Sequence, residues 1–387
     1  MRSSRRALEI EPFRVMGVLA RARAMEQEGH DVIHMEIGEP DFATPQPIIR
    51  AGISALENGF THYTPALGLP QLREAISQYY QSQFGVSVSS DRIVVTPGSS
   101  GALQLSMAAL LNPGDEVLMA DPGYPCNRHF VRLFDGQPAL IAVNESTQYQ
   151  LTAELLDKHW TAKTKAVLLA SPSNPTGTCC SLAELKLIVE LVKSRGGVLI
   201  VDEIYQSLVY DREPETVLSL SDEVIVINSF SKYFGMTGWR VGWMIAPVEY
   251  VPIMDKLAQN FFLATSTPAQ YAALAAFSEE TLSELEDRHQ QLKQRRDYLV
   301  EAVKELGFGV PVKPEGAFYI YAQCAALSDD SQALTDELLA QTAVALTPGN
   351  DFGLNKSNHY VRFAYTADLS HLREGVERLS TYLKRSR

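Results

Sequence analysis

The chain has 387 residues, 45% of them hydrophobic, which is ample for a large buried core and for two or three domains or subdomains. Its formal charge is -12 and its pI is about 5.2, which argues against the basic face that nonspecific nucleic-acid binding needs. No stretch approaches the ~18 apolar residues of a membrane span, the start MRSSRRALEIEPFRV lacks the apolar run of a signal peptide, and Cys126, Cys179, Cys180 and Cys324 form no CxxC pair, so a cytoplasmic chain without a metal or disulfide framework is expected.

Short apolar runs alternate with helical patterns from about residue 90 to 246. The runs are IVVT (93–96), EVLMA (116–120), ALIAV (139–143), AVLLAS (166–171), VLIVDE (198–203) and VIVINSF (224–230). Each is apolar on both faces, as a strand covered by helices on both sides must be. Between the fourth and fifth runs, Ser181 with Glu184 three residues on reads as a capping box. Leu182, Leu185, Ile188, Val189 and Val192 then recur at helical spacing, and Gly196-Gly197 ends the helix. This alternation predicts an α/β fold with a mostly parallel, doubly wound sheet. From about 268 to 306 the pattern is long and helical. GAFYIYA (316–322) and YVRFAY (360–365) then read as strands. We therefore expect a large domain over 47–285 and a smaller α+β domain built from 286–387 together with the N-terminal segment 1–46.

In doubly wound sheets ligands sit beyond the carboxyl ends of the strands. Five of the six strand ends here carry polar clusters: PGSSG from Pro97, DPGY from Asp121, SPSNP from Ser171, DEIY from Asp202 and SFSK from Ser229. Ser99 and Ser100 open a helix after a strand, where backbone amides and hydroxyls make an anion site, although an ordinary capped turn has the same look. The chain has no GxxxxGK[ST], no GxGxxG and no GxSxG, which turns the reading away from an NTP, a dinucleotide or a serine hydrolase. Asp202 closes a buried strand, and a carboxylate there must be paired. It fits a helix cap, a metal ligand or the partner of a pyridinium nitrogen. Lys232 directly follows a buried strand, where burial or nearby cations lower an amine's pKa enough for imine formation. Ser229 and Arg240 flank it and offer two more phosphate contacts.

With these residues in place the chain resembles the class I/II aminotransferases of fold type I, the aspartate aminotransferase superfamily, from IGEPDF (37–42) to VRFAYT (361–366). The resemblance implies pyridoxal 5′-phosphate as cofactor and ping-pong transfer of an amino group from an L-amino acid to a 2-oxo acid. It makes Lys232 the Schiff-base lysine and the proton carrier, and Asp202 the partner of the ring nitrogen. Tyr205 and Asn174 match the residues bonding the ring O3′, Tyr124 the aromatic stacked on the ring, and Ser99, Ser100, Ser229 and Arg240 the phosphate cradle. Tyr63 matches a tyrosine that reaches the neighbouring subunit's phosphate, which implies a homodimer. Arg362 matches the clamp on the substrate α-carboxylate, with Gly38 as a backbone contact to it. Cis peptides before Pro122 and Pro175 are implied too.

C–S lyases and other β-eliminating enzymes, decarboxylases and cyclopropane-forming synthases share this scaffold; Arg362 and the whole pattern favour transamination. A cofactor-sensing transcription regulator would need a DNA-binding domain, for which the acidic chain offers no helix-turn-helix. Ser100 stands where some aspartate-specific relatives carry a lysine, which disfavours a dicarboxylate-only enzyme. Arg128 is read as a surface residue, with a second-carboxylate contact as the alternative. Phe13, Val15 and Met16 are expected either to line the mouth, pointing to a neutral or aromatic substrate, or simply to fasten the N-terminal segment.

Overall fold

Segments such as IVVT and VLIVD can be apolar throughout only if both faces of their sheet are covered. In the computed structural model, which describes residues 3–385, they are. A short strand β1 (Ile33–His34) precedes the large sheet. That sheet comprises β2 (Ile93–Thr96), β3 (Glu116–Asp121), β4 (Gln137–Ala142), β5 (Thr164–Ala170), β6 (Val198–Asp202), β7 (Ile225–Ser229) and β8 (Gly242–Ile245), in the order β2-β8-β7-β6-β5-β3-β4. The block from β7 to β4 is parallel throughout. Strand β8 runs antiparallel between β2 and β7. Every residue of β2, β6, β7 and β8 is buried.

Strand β8 was not expected from the sequence. Its four residues follow a glycine-rich turn and are too few to show a period. The helical pattern over 268–306 is in fact broken: a helix over Thr267–Leu274 ends in a 3-10 turn, and Ser278 caps a new helix over Glu279–Glu305 by accepting from Thr281 N. The helix Leu182–Ser194 begins at Ser181, whose hydroxyl accepts from Glu184 N at 3.2 Å. The capping box is only half made, because the Glu184 carboxylate accepts from Ala153 N at 2.7 Å and so ties two helices together.

The remaining strands are β9 (Tyr319–Gln323), β10 (Val344–Ala345), β11 (Thr347–Pro348) and β12 (Tyr360–Ala364). They form an antiparallel sheet, β11-β12-β9, and a parallel pair in which β1 lies on β10. The chain's first strand thus joins its last hundred residues. A separate apolar cluster built on Ile33, Leu299, Phe318, Phe363 and Leu379 lies under this second sheet. Among the described residues no helix is long and apolar enough to cross a membrane.

Candidate active site

A cavity of about 260 Å³ opens beyond the carboxyl ends of β5 and β6. Ten of the twelve expected site residues line it: Gly38, Ser99, Ser100, Tyr124, Asn174, Asp202, Tyr205, Lys232, Arg240 and Arg362. Ser229 and Tyr63 do not. The Ser229 hydroxyl is buried and donates to Ser231 Oγ at 2.8 Å, and Ser231 is the serine that faces the cavity. Tyr63 is 83% exposed.

Each wall of the cavity follows from local chain chemistry. Asp202 is the last residue of β6, so it leaves the sheet pointing at the ligand side. One of its carboxylate oxygens accepts from Ile204 N at 3.1 Å; no helix follows, so it is not a helix cap. Burial raises its carboxyl to about 6 despite that bond and the Lys232 charge. Lys232 stands three residues beyond β7, and its Nζ donates to the Gly38 carbonyl at 2.7 Å. Burial pushes its amine down to about 8; Glu39 opposes this, while the charges of Arg362 and Arg240 reinforce it.

At the opposite end, the helix Gly98–Leu110 starts with Ser99 and Ser100 in its first turn. Gly98 has φ +68°, and a Cβ there would lie 2.5 Å from Arg240 Nη2. Only glycine lets that guanidinium close against the helix start. Arg240 itself sits in the left-handed region at φ 56°, with Nη1 donating to Thr237 O at 3.0 Å. Free amides, hydroxyls and a guanidinium converge there, as an anion requires.

Arg362 lies in the middle of β12, opposite Tyr321 of β9 and Thr347 of β11. Its guanidinium is sandwiched between the rings of Tyr319 at 4.3 Å and Phe352 at 4.7 Å. Nη1 donates to Asn174 Oδ1 at 2.9 Å, and Nη2 to the Glu36 carbonyl. Buried Nε has no partner, which leaves one donor free for a ligand oxygen. The Tyr205 hydroxyl lies 2.8 Å from that of Tyr319. Tyr124 stands edge-on to Phe13, ring centres 6.0 Å apart at 89°. Phe13, Val15 and Met16 do line the mouth. Cis peptides precede Pro122 and Pro175, and a third precedes Pro172.

One reading changes. Arg128 is not a surface residue: its side chain is 11% exposed, pairs with Glu11 at 3.5 Å and lies outside this cavity. Tyr319, Ser231 and Phe352 belong to the site or its support and were missed. Tyr319 hid in an apolar strand run, whereas Ser231, directly before the lysine, was within reach of the motif.

A cavity with an amine of lowered pKa, a buried acid and an anion cradle fits pyridoxal 5′-phosphate in donor set and charge. Comparison with known proteins decides the family. The model of aminotransferase class I and II matches residues 30–379. The chain belongs to the class I and II aminotransferases. This aminotransferase is 37% identical over 385 residues to the (5-formylfuran-3-yl)methyl phosphate transaminase of Methanocaldococcus jannaschii, covering 99% of this chain and 100% of that one. It is 34% identical to the valine–pyruvate aminotransferase of Mycobacterium tuberculosis, over 97% of each chain. The crystal structure of an aminotransferase from Mycobacterium tuberculosis superposes with a TM-score of 0.96 at 34% identity and covers 100% of both chains. The fold, the use of pyridoxal 5′-phosphate and amino-group transfer follow from this membership.

Proposed function

We propose that the aminotransferase holds its cofactor through Lys232 and works on L-amino acids with neutral, bulky apolar side chains. The observation that carries the reading is the lining of one cavity by Lys232, Asp202, Arg240 and Arg362 together with the apolar lip Phe13, Val15 and Met16. Among the described residues that line it, Lys232, Arg240 and Arg362 are the cationic side chains, and each is given a role here, which leaves none of them for a second substrate carboxylate.

Pyridoxal 5′-phosphate supplies an aldehyde that condenses with amines and a ring that draws electrons from the substrate Cα. Asp202 would hold a proton on the ring nitrogen. Tyr205 and Asn174 would bond the ring oxygen, Tyr124 would lie against the ring, and Ser99, Ser100 and Arg240 would receive the phosphate, with Ser229 acting behind Ser231. Arg362 and the Gly38 backbone orient the substrate carboxylate, which fixes the direction of the Cα–H bond. With the cofactor bound, the Lys232 amine would be the group that takes up and gives back that proton; its lowered pKa keeps a neutral fraction available near pH 8. Tyr63, exposed and outside the lining of its own cavity, is assigned to the site of a second copy in a homodimer. The division into 1–46 with 286–387, and 47–285, is retained. Four free cysteines fit a reducing cytoplasm.

Borohydride reduction followed by peptide mapping should place the cofactor mass on the peptide containing Lys232, and Lys232→Ala should lose turnover while still folding. Cofactor mass on another lysine refutes the assignment. A panel of amino donors against pyruvate and 2-oxoglutarate tests the substrate class: reaction with aspartate and glutamate alone would refute it. Pyruvate released from a cysteine conjugate without an acceptor would mark a lyase.

A further inference from the structure

The lip of the cavity belongs to a helix that cannot cap itself. Phe13 stands at the N-cap of the helix Arg14–Gln27, offers no side-chain bond, and no acid lies in the first turn. The free amides of that turn need an acceptor. Asp351 supplies one from the far end of the chain: Oδ1 accepts from Arg14 N at 2.9 Å and Oδ2 from Val15 N at 3.3 Å. Asp351 is 1% exposed, and burial raises its carboxyl even against these two bonds and the charges of Arg362 and Arg128. An acid buried at such a cost is retained for the bonds it makes.

The turn carrying Asp351 is itself firmly held. Its next residue, Phe352, is the lower ring of the Arg362 sandwich. The Phe352 carbonyl accepts from Gly123 N at 2.9 Å. Asp121, ending β3, accepts from Leu354 N at 3.0 Å and Asn355 N at 3.2 Å. A Cβ on Gly353 would lie 1.7 Å from Asp121 Oδ1, so glycine is what lets the turn sit on the strand end. One rigid turn therefore touches the carboxylate clamp with Phe352 and the side-chain lip with Asp351.

We propose that Asp351 is a specificity-setting positioning residue: it fixes the Phe13–Met16 lip at a set distance from Arg362 and so gauges the length and apolarity of the substrate side chain. The inference rests on the apolar donor class proposed above. Asp351 touches no reacting atom; it acts through the lip.

The test uses holoenzyme of wild type, D351A, D351N and F13A. With leucine or phenylalanine as amino donor, D351A should lose about tenfold in kcat/KM, chiefly through KM, in line with the worth of a few apolar contacts in a pocket. With alanine, whose methyl group is too short to meet the lip, kcat/KM should stay within about twofold. D351N keeps one acceptor oxygen and should fall between. Hydrogen exchange at the Arg14 and Val15 amides should speed by at least about tenfold in D351A, the mark of a lost cap. F13A should reproduce the loss on bulky donors with those amides still protected, which covers the case of D351A failing to fold. Equal losses on both donors, no change on either, or unchanged exchange overturns the proposal. If wild type prefers charged or short donors, the donor-class reading fails, while the exchange of the two amides still decides the anchor.

Discussion

The hydroxyls of Tyr205 and Tyr319 stand 2.8 Å apart, and the Tyr319 ring lies 4.3 Å from the Arg362 guanidinium. One tyrosine therefore joins the residue assigned to the ring oxygen to the residue assigned to the carboxylate. Burial holds both hydroxyls protonated, well above the ordinary range for Tyr205. Tyr319→Phe keeps the ring and removes the bond. A hydrogen bond of ~1 kcal/mol corresponds to a loss of roughly threefold to tenfold in kcat. The KM for the amino donor should change little, since the guanidinium keeps its ring. Steady-state kinetics check both, and a rise in KM with unchanged kcat would contradict the assignment.

Arg362→Lys tests the clamp. Lysine keeps the charge but loses the planar fork, the stacking between Tyr319 and Phe352, and the bond to Asn174. Affinity for the amino donor should drop roughly a hundredfold, with cofactor content unchanged by absorbance.

The pH dependence of cofactor loading follows from Lys232. Its amine is depressed from 10.5 to about 8, so the neutral, nucleophilic form appears above pH 8. In cofactor-stripped protein the rate of covalent attachment should rise with pH and reach half its maximum near 8, followed by absorbance. The stability sign is the reverse of the usual lysine case. Between about 8 and 10.5 the unfolded chain binds the extra proton, so stability of the stripped protein rises with pH in that window. Lys232→Met should remove this slope in denaturant titrations. Asp202, raised to about 6 by burial, gives the opposite slope between about 4 and 6, where the folded state holds more protons.

Subunit mixing tests Tyr63. Lys232→Ala homodimers should be inactive and Tyr63→Ala homodimers weak. Mixed dimers carry one site with both residues intact if Tyr63 serves the neighbouring subunit, so mixing should restore activity to that of one site in two. No recovery, with mixed dimers shown by mass, would assign Tyr63 elsewhere.

The large sheet was legible because strands covered on both faces carry apolar side chains at every position, as IVVT and VLIVD do. Strand β8 was not, because Gly242 and its neighbours give no period over four residues. The break at Ser278 was missed because the residues on either side keep the same helical spacing. Within the site, Asp202 and Lys232 stood out as charges ending apolar runs. Tyr319 did not, since a phenol in a strand looks like core until its hydroxyl meets Tyr205. Asp351 was beyond reach in principle: its role is a contact between segments at opposite ends of the chain, which no local pattern records.

The pairing of β1 with β10 has a consequence for biosynthesis. During translation the doubly wound sheet can form well before the ribosome reaches Val344. Until then Ile33 and His34 have no strand to pair with, and Arg362, the proposed carboxylate clamp, has not been made. A product that stopped short of Val344 would fold much of its interior yet leave the second sheet unbuilt.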